Sequence, residues 1–87
     1  MNPCTFNLAF QWINGDLCAA YAQVQGKRVG ITKSVSYNNF RINVDKHDDA
    51  VVGVEMLGHV DDASELPEDT TERFLAEKLI AAWKTLA

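Results

Sequence analysis

The sequence predicts an α+β domain: a five-stranded antiparallel meander sheet with one C-terminal helix packed on its apolar face. Three observations lead there. Apolar residues alternate with polar ones in a series of short runs up to residue 58, separated by turn-forming residues. Asn14-Gly15 stands between the first two runs, and this pair favours a tight hairpin because both positions take positive φ readily. After Gly58 the apolar period changes from that of a strand to that of a helix.

The first strand is carried by Phe6, Leu8, Phe10 and Trp12, which alternate with Thr5, Asn7, Ala9 and Gln11. The second runs over residues 17–24. Cys18, Ala20, Ala22 and Val24 form one face, and Leu17, Ala19 and Tyr21 the other. Small apolar residues on both faces predict a central strand, or one that meets another subunit. Gln25-Gly26-Lys27 turns the chain. Val29, Ile31, Val35 and Tyr37 then alternate, with Lys33 on the apolar side. A charge in that position predicts a sheet edge or a bulge.

Asn38-Asn39 makes the next turn, and Phe40, Ile42 and Val44 the fourth strand. A polar loop over residues 45–50 leads to the fifth, with Val52, Val54 and Met56 on one face. Gly53 faces the other way and leaves room for a bulky neighbour or a close backbone. Short connections predict antiparallel pairing of successive strands, hence the meander.

Residues 59–69 hold five acids, no lysine or arginine, and Pro67. They read as an acidic connector, of which residues 61–69 are expected to be solvent-exposed and dispensable for folding, because unpaired acids are not buried cheaply. Asp69 and Glu72 have capping-box spacing, which predicts a helix over residues 70–86. Leu75, Leu79, Ala82, Trp83 and Leu86 share a face, widened by Ala76 and Ile80. Phe74 and Ala81 lie on the opposite flank, and Arg73, Glu77 and Lys84 form the polar stripe. The 87 residues therefore form one domain: a β unit over residues 1–58, the connector over 59–69 and the helix over 70–87.

Residues 1–60 carry five acids and five bases, so the net charge of −4 resides in the C-terminal segment. Nucleic acid binding is disfavoured by that balance, and a basic protein partner fits it better. No run approaches the length of a membrane span, and no leader pattern precedes the first strand. The expectation is a cytoplasmic protein with no membrane partner, in which Cys4 and Cys18 are reduced thiols.

Residues 16–21, 26–29, 44–45 and 52–57 resemble a family of short bacterial proteins known as domain of unknown function twenty-two eighty-three. That family has an Asp-Ala-Leu-Tyr start, a Gly-Lys-Val turn and a Val-Gly-Ile-Glu-Ile-Leu ending. The similarity covers about residues 12–58. It departs where the family has a glycine before the last strand, since this chain has Asp49-Ala50 and is one residue shorter there. Members of the family are often encoded beside small toxin-like proteins, so the resemblance implies an antitoxin or partner-binding role in a bacterium, phage or mobile element.

The residues themselves point to no reaction. His47-Asp48-Asp49 and His59-Val60-Asp61-Asp62 look like metal ligands, but they sit at opposite ends of one predicted strand, too far apart to share an ion. Residues 45–56 fail as a calcium loop, with Ala50 in place of glycine and Met56 in place of glutamate. Ser34 and Ser36 lack an activating elbow. Glu55 and Tyr21 share the side opposite Val52, Val54 and Met56, and read as a solvated face.

The expectation is a non-enzymatic protein-interaction domain without metal or cofactor, acting as an antitoxin or inhibitor would by occupying a partner protein. It is expected to form a homodimer. The candidate interface is Leu17, Ala19, Tyr21, Phe74 and Ala81, apolar positions beyond what one helix on one sheet face can cover. The first alternative is a small-ligand-binding domain with its site at the helix–sheet or dimer seam, and the second is an enzyme.

Overall fold

A computed structural model of the chain describes residues 5–26 and 32–86. Five strands and one helix follow in order: β1 Phe6–Ile13, β2 Asp16–Val24, β3 Thr32–Ser36, β4 Phe40–Asp45, β5 Val51–Met56 and α1 Thr71–Leu86. All strand pairs are antiparallel, in one sheet with the order β1-β2-β5-β4-β3. The α+β class, the five antiparallel strands and the C-terminal helix are as the sequence predicts. The order is not a simple meander, because β3 does not lie beside β2.

Strand chemistry explains the order. Ala20, Ala22 and Val24 of β2 and Val52, Gly53, Val54 and Met56 of β5 are buried. These two strands take the centre, where both sides of the ladder are shielded. Thr32, Lys33, Ser34 and Ser36 leave β3 exposed along its whole length. It occupies an edge, where Lys33 forms an ion pair of 2.7 Å with Asp49. Lys33 thus marks an edge. Val29, Ile31 and Lys27, and with them most of the turn after β2, lie outside the described residues, as does Cys4.

The turns follow their sequences. Asn14 and Gly15 have φ of 52° and 83°, the positive pair that a two-residue hairpin requires. Two irregularities shift the side chains. The β1–β2 register slips between Gln11 and Trp12, so that Cys18 has no partner opposite it. Leu17, expected beside Ala19 and Tyr21, instead packs against the core. Cys18 is a free, half-buried thiol whose Sγ lies 3.3 Å from the Asp16 carbonyl oxygen. In the β4–β5 pair the register slips after Asn43, leaving Val52 without a partner. Val52 is buried, but apart from the contiguous cluster that holds Val54 and Met56.

The helix packs against β5 and β2. Leu75, Ala76, Leu79, Ile80 and Trp83 are its buried residues. They meet Ala20, Ala22, Val54, Met56, Phe40 and Ile42 in one cluster. The buried arc leans toward Ala76 and Ile80, and Leu86, expected on it, is 45% exposed. The connector lies on the Ile80 side of the helix. Ala63 and Leu66, 3% and 2% exposed, belong to the same core. Ala63 lines one cleft with Ile80 and Arg73, and Arg73 Nη1 donates to the Leu66 carbonyl at 3.1 Å.

The connector therefore adds Ala63 and Leu66 to the core, contrary to the expectation of a wholly solvent-exposed segment, although most of its acids are exposed. Glu65 accepts the Asn39 backbone N–H at 3.0 Å and ties the connector to the β3–β4 turn. Asp62 accepts the N–H and the hydroxyl of Ser64 at 2.9 and 2.6 Å, and both bonds hold its carboxyl below the usual range. His59 pairs with Asp61 at 3.0 Å and tilts against Trp83.

The helix cap falls one residue later than the capping box predicts. Asp69 has φ of 58°, a left-handed conformation incompatible with the extended backbone of an N-cap. Thr70 caps instead: its Oγ1 accepts the Arg73 N–H at 3.2 Å and donates to the Pro67 carbonyl at 2.7 Å.

Because Leu66 and Leu79 are both sealed in one core, Leu66→Ala and Leu79→Ala should each destabilise the domain by about 2–4 kcal/mol. Urea unfolding measures both. A change below about 0.5 kcal/mol for Leu66→Ala would return the connector to solvent.

The open face of the sheet, a candidate interaction site

Helix and connector cover one face of the sheet, so the candidate site is built on the other. Cross-strand partners point to the same side. The register therefore lays two rows of side chains across all five strands on the open face. One row is Ala9, Tyr21, Glu55, Arg41 and Ser36; the other is Asn7, Gln23, Gly53, Asn43 and Ser34.

The two halves of this face differ in chemistry. Over β3, β4 and β5 it is a polar layer. Ser34 Oγ donates to Asn43 Oδ1 at 2.8 Å, and Asn43 Nδ2 donates to Glu55 Oε1 at 3.3 Å. Arg41 Nη1 lies 3.5 Å from Glu55 Oε2. Over β1 and β2 the side chains of these rows carry no charge, and Ala9 and Ala19 are small. There Ala9, Gln11, Ala19, Tyr21, Glu55 and Leu57 border an open groove of about 380 Å³. Ala9 and Ala19 make it possible, since larger side chains there would fill it. Leu57, 52% exposed, stands at its border.

Tyr21 is fixed across the seam between the halves. Its ring lies over Gly53: a Cβ added there would stand 2.6 Å from Tyr21 Cζ and 2.9 Å from the Ala22 carbonyl oxygen. The absent side chain of Gly53 is thus the seat of the Tyr21 ring, the bulky neighbour that its position predicts. Burial pushes the Tyr21 phenol up from its usual pKa, the Asn43 side chain opposes this, and the Glu55 carboxylate adds to the rise.

The sequence-predicted interface is only partly assembled. Ala19 and Tyr21 meet in the groove. Leu17 is turned to the core side. Phe74 and Ala81 are on the helix, on the far side of the sheet. Phe74 packs edge-to-face on Phe6 with ring centroids 5.7 Å apart and carries Lys78 Nζ 5.3 Å above its ring. Ala81 is exposed beside Lys84 and Glu77. Ala9, Gln11 and Leu57 complete the groove without having been singled out. The alternation of β1 places Ala9 and Gln11 on the Tyr21 side, and that pattern is the signal that would have found them.

Among the described residues no three His, Cys, Asp or Glu side chains converge on a point that would hold a metal ion. The two histidine clusters remain separate, His59 paired with Asp61 and the His47 N–H bonded to Asp45 Oδ1 at 2.7 Å. Among the described residues no helix is long and apolar enough to cross a membrane. No family model, curated protein or solved structure matches the chain.

Two outcomes follow from the Tyr21–Gly53 contact. Gly53→Ala should destabilise the domain by about 1–3 kcal/mol, because the new methyl meets both the ring and fixed backbone. The double variant Gly53→Ala, Tyr21→Ala should recover part of that loss in urea unfolding, and no recovery would show that the ring is not seated there. The raised Tyr21 pKa also fixes a sign. The folded state holds the phenol proton more tightly than the unfolded chain, so this contribution to stability is complete below the ordinary tyrosine pKa and is lost as pH rises through the folded value. Tyr21→Phe should flatten the decline of stability above about pH 10, measured by denaturant midpoints across that range.

Proposed function

We propose that this chain is a small non-enzymatic domain that binds a partner protein through the open face of its sheet. The observation that carries this reading is the groove over Ala9 and Ala19, bordered by Tyr21 and Leu57. Large rigid aromatic residues beside small ones make good contact surfaces, because they bury area at little conformational cost. Tyr21 is already held in place over Gly53, so little order remains to be lost on binding. Glu55 is offset by Arg41, which spares a partner from burying an unpaired carboxylate.

Occupying a partner protein is how an inhibitor or antitoxin acts. The proposed relation to the family of domain of unknown function twenty-two eighty-three is compatible with this placement. The stretches that carry it, residues 16–21 and 52–57, lie largely on paired strands, with Tyr21 opposite Glu55. A small ligand is the second reading, since about 380 Å³ is near the lower end of ligand sites. Its place would be this groove. The helix–sheet seam is filled by Leu75, Leu79 and Met56, all fully buried.

The test uses a partner captured from the host of the chain, then purified and titrated. Ala19→Arg should abolish its binding, whereas Ala81→Arg, on the helix, should leave it unchanged. Retained binding by Ala19→Arg, or loss with Ala81→Arg, would contradict this placement. A metabolite whose thermal shift disappears with Ala19→Arg would replace the partner protein by a ligand.

A further inference from the structure

The two edges of the sheet are built differently. β3 is short and exposed, and carries Lys33, a charge that discourages pairing with another chain. β1 has eight residues, Phe-Asn-Leu-Ala-Phe-Gln-Trp-Ile, with no charge and no proline. It has none of the sequence devices by which exposed edges are kept apart.

The register shows which of its backbone groups face β2 and which face the edge. The Gln25 N–H donates to the Thr5 carbonyl at 2.8 Å, and the pairs below follow the same register. Hydrogen-bonded and non-bonded pairs alternate along an antiparallel ladder. Asn7, Ala9 and Gln11 therefore turn their N–H and C=O groups toward β2, while Phe6, Leu8 and Phe10 turn theirs to the open edge.

The side chains of β1 are also incompletely covered. The helix packs mainly on β5 and β2 and reaches the edge strand through Phe74, which meets Phe6 at one end of β1. Phe6, Leu8 and Phe10 touch the core but are only half-buried, and Trp12 is 49% exposed.

We infer that β1 pairs antiparallel with β1 of a second copy of this chain, about a two-fold axis at Ala9, the middle of the segment from Phe6 to Trp12. The strand is self-complementary in that register. Leu8 meets Phe10 of the second copy as a hydrogen-bonded pair, and the half-covered Phe6, Leu8 and Phe10 of both copies join into one apolar band. On the open face Ala9 meets its own counterpart, and the Asn7 amide meets the Gln11 amide of the second copy. No charge opposes another along the seam, although each chain carries −4. Pairing also completes the groove. It ends at β1, with Ala9 and Gln11 on its border, and the second copy extends the sheet beyond them. This proposal goes beyond the partner-binding reading and does not depend on it.

The mass of the full chain at micromolar concentration, by sedimentation equilibrium, tests it together with amide exchange. The expected result is twice the chain mass, with the Leu8 and Phe10 amides protected in proportion to the dimer fraction. Ala9→Lys brings two ammonium groups face to face at the axis. It should give monomer mass and free exchange at Leu8 and Phe10, while Asn7 and Gln11 stay protected by β2. The double variant Asn7→Lys, Gln11→Glu places opposite charges across the seam and should keep the dimer. A monomer mass for the unaltered chain overturns the proposal, and so does a dimer whose Leu8 and Phe10 amides exchange freely. If Ala9→Lys does not fold, exchange in the unaltered chain decides alone.

Discussion

Ala20 pairs with Met56, and Ala22 with Val54, along the seam between β2 and β5. This seam joins two pieces of chain that are otherwise complete antiparallel units, the β1–β2 hairpin and the β3–β4–β5 run. It is also where the helix sits. Alanine at positions 20 and 22 keeps the sheet surface low there, so that Leu75 and Leu79 reach Val54 and Met56 and are sealed from water. Each such side chain contributes about 1.5–3 kcal/mol on burial. Without the seam neither unit has a second layer to bury its apolar face against.

The geometry of one helix then sets the rest. Sixteen residues of helix are about 24 Å long and about 10 Å across, whereas five strands span about 19 Å. A single helix therefore covers mainly β2 and β5, and leaves much of the outer strands to other segments. The connector extends the cover with Ala63 and Leu66, and Glu65 fastens it to Asn39. Over β1 the cover is thin: Phe74 meets Phe6, and Phe6, Leu8 and Phe10 stay half-buried. Among the described residues the opposite face carries no second layer, and it divides by chemistry, into a polar network from Ser34 to Arg41 and a small-residue groove over Ala9 and Ala19.

Most of this was legible because it is local. Alternation gave the strands, Asn14-Gly15 gave the hairpin, and the helical period gave α1. Gly53 and Tyr21 were legible as a gap and a ring on one face. The strand order was less so. The apolar character of the second strand and the charge on the third, Lys33, already separated a centre from an edge, but short connections argued for neighbours, and only burial of the whole sheet decides between them. Leu17 was misplaced because a bulge at Cys18 is not written in the alternation. The connector was misread because its acids dominate its composition, while Ala63 and Leu66, the two residues that matter to the core, are sparse within it.

Native-state hydrogen exchange at the seam tests the account most directly. The amides of Ala20, Ala22, Val54 and Met56 should exchange only through global unfolding, with the same denaturant dependence as the equilibrium transition measured on the whole domain. If these four amides open at a lower free energy than the helix amides of Leu75 and Leu79, the hairpin detaches from an otherwise folded remainder. The seam would then not be the interaction on which the domain depends.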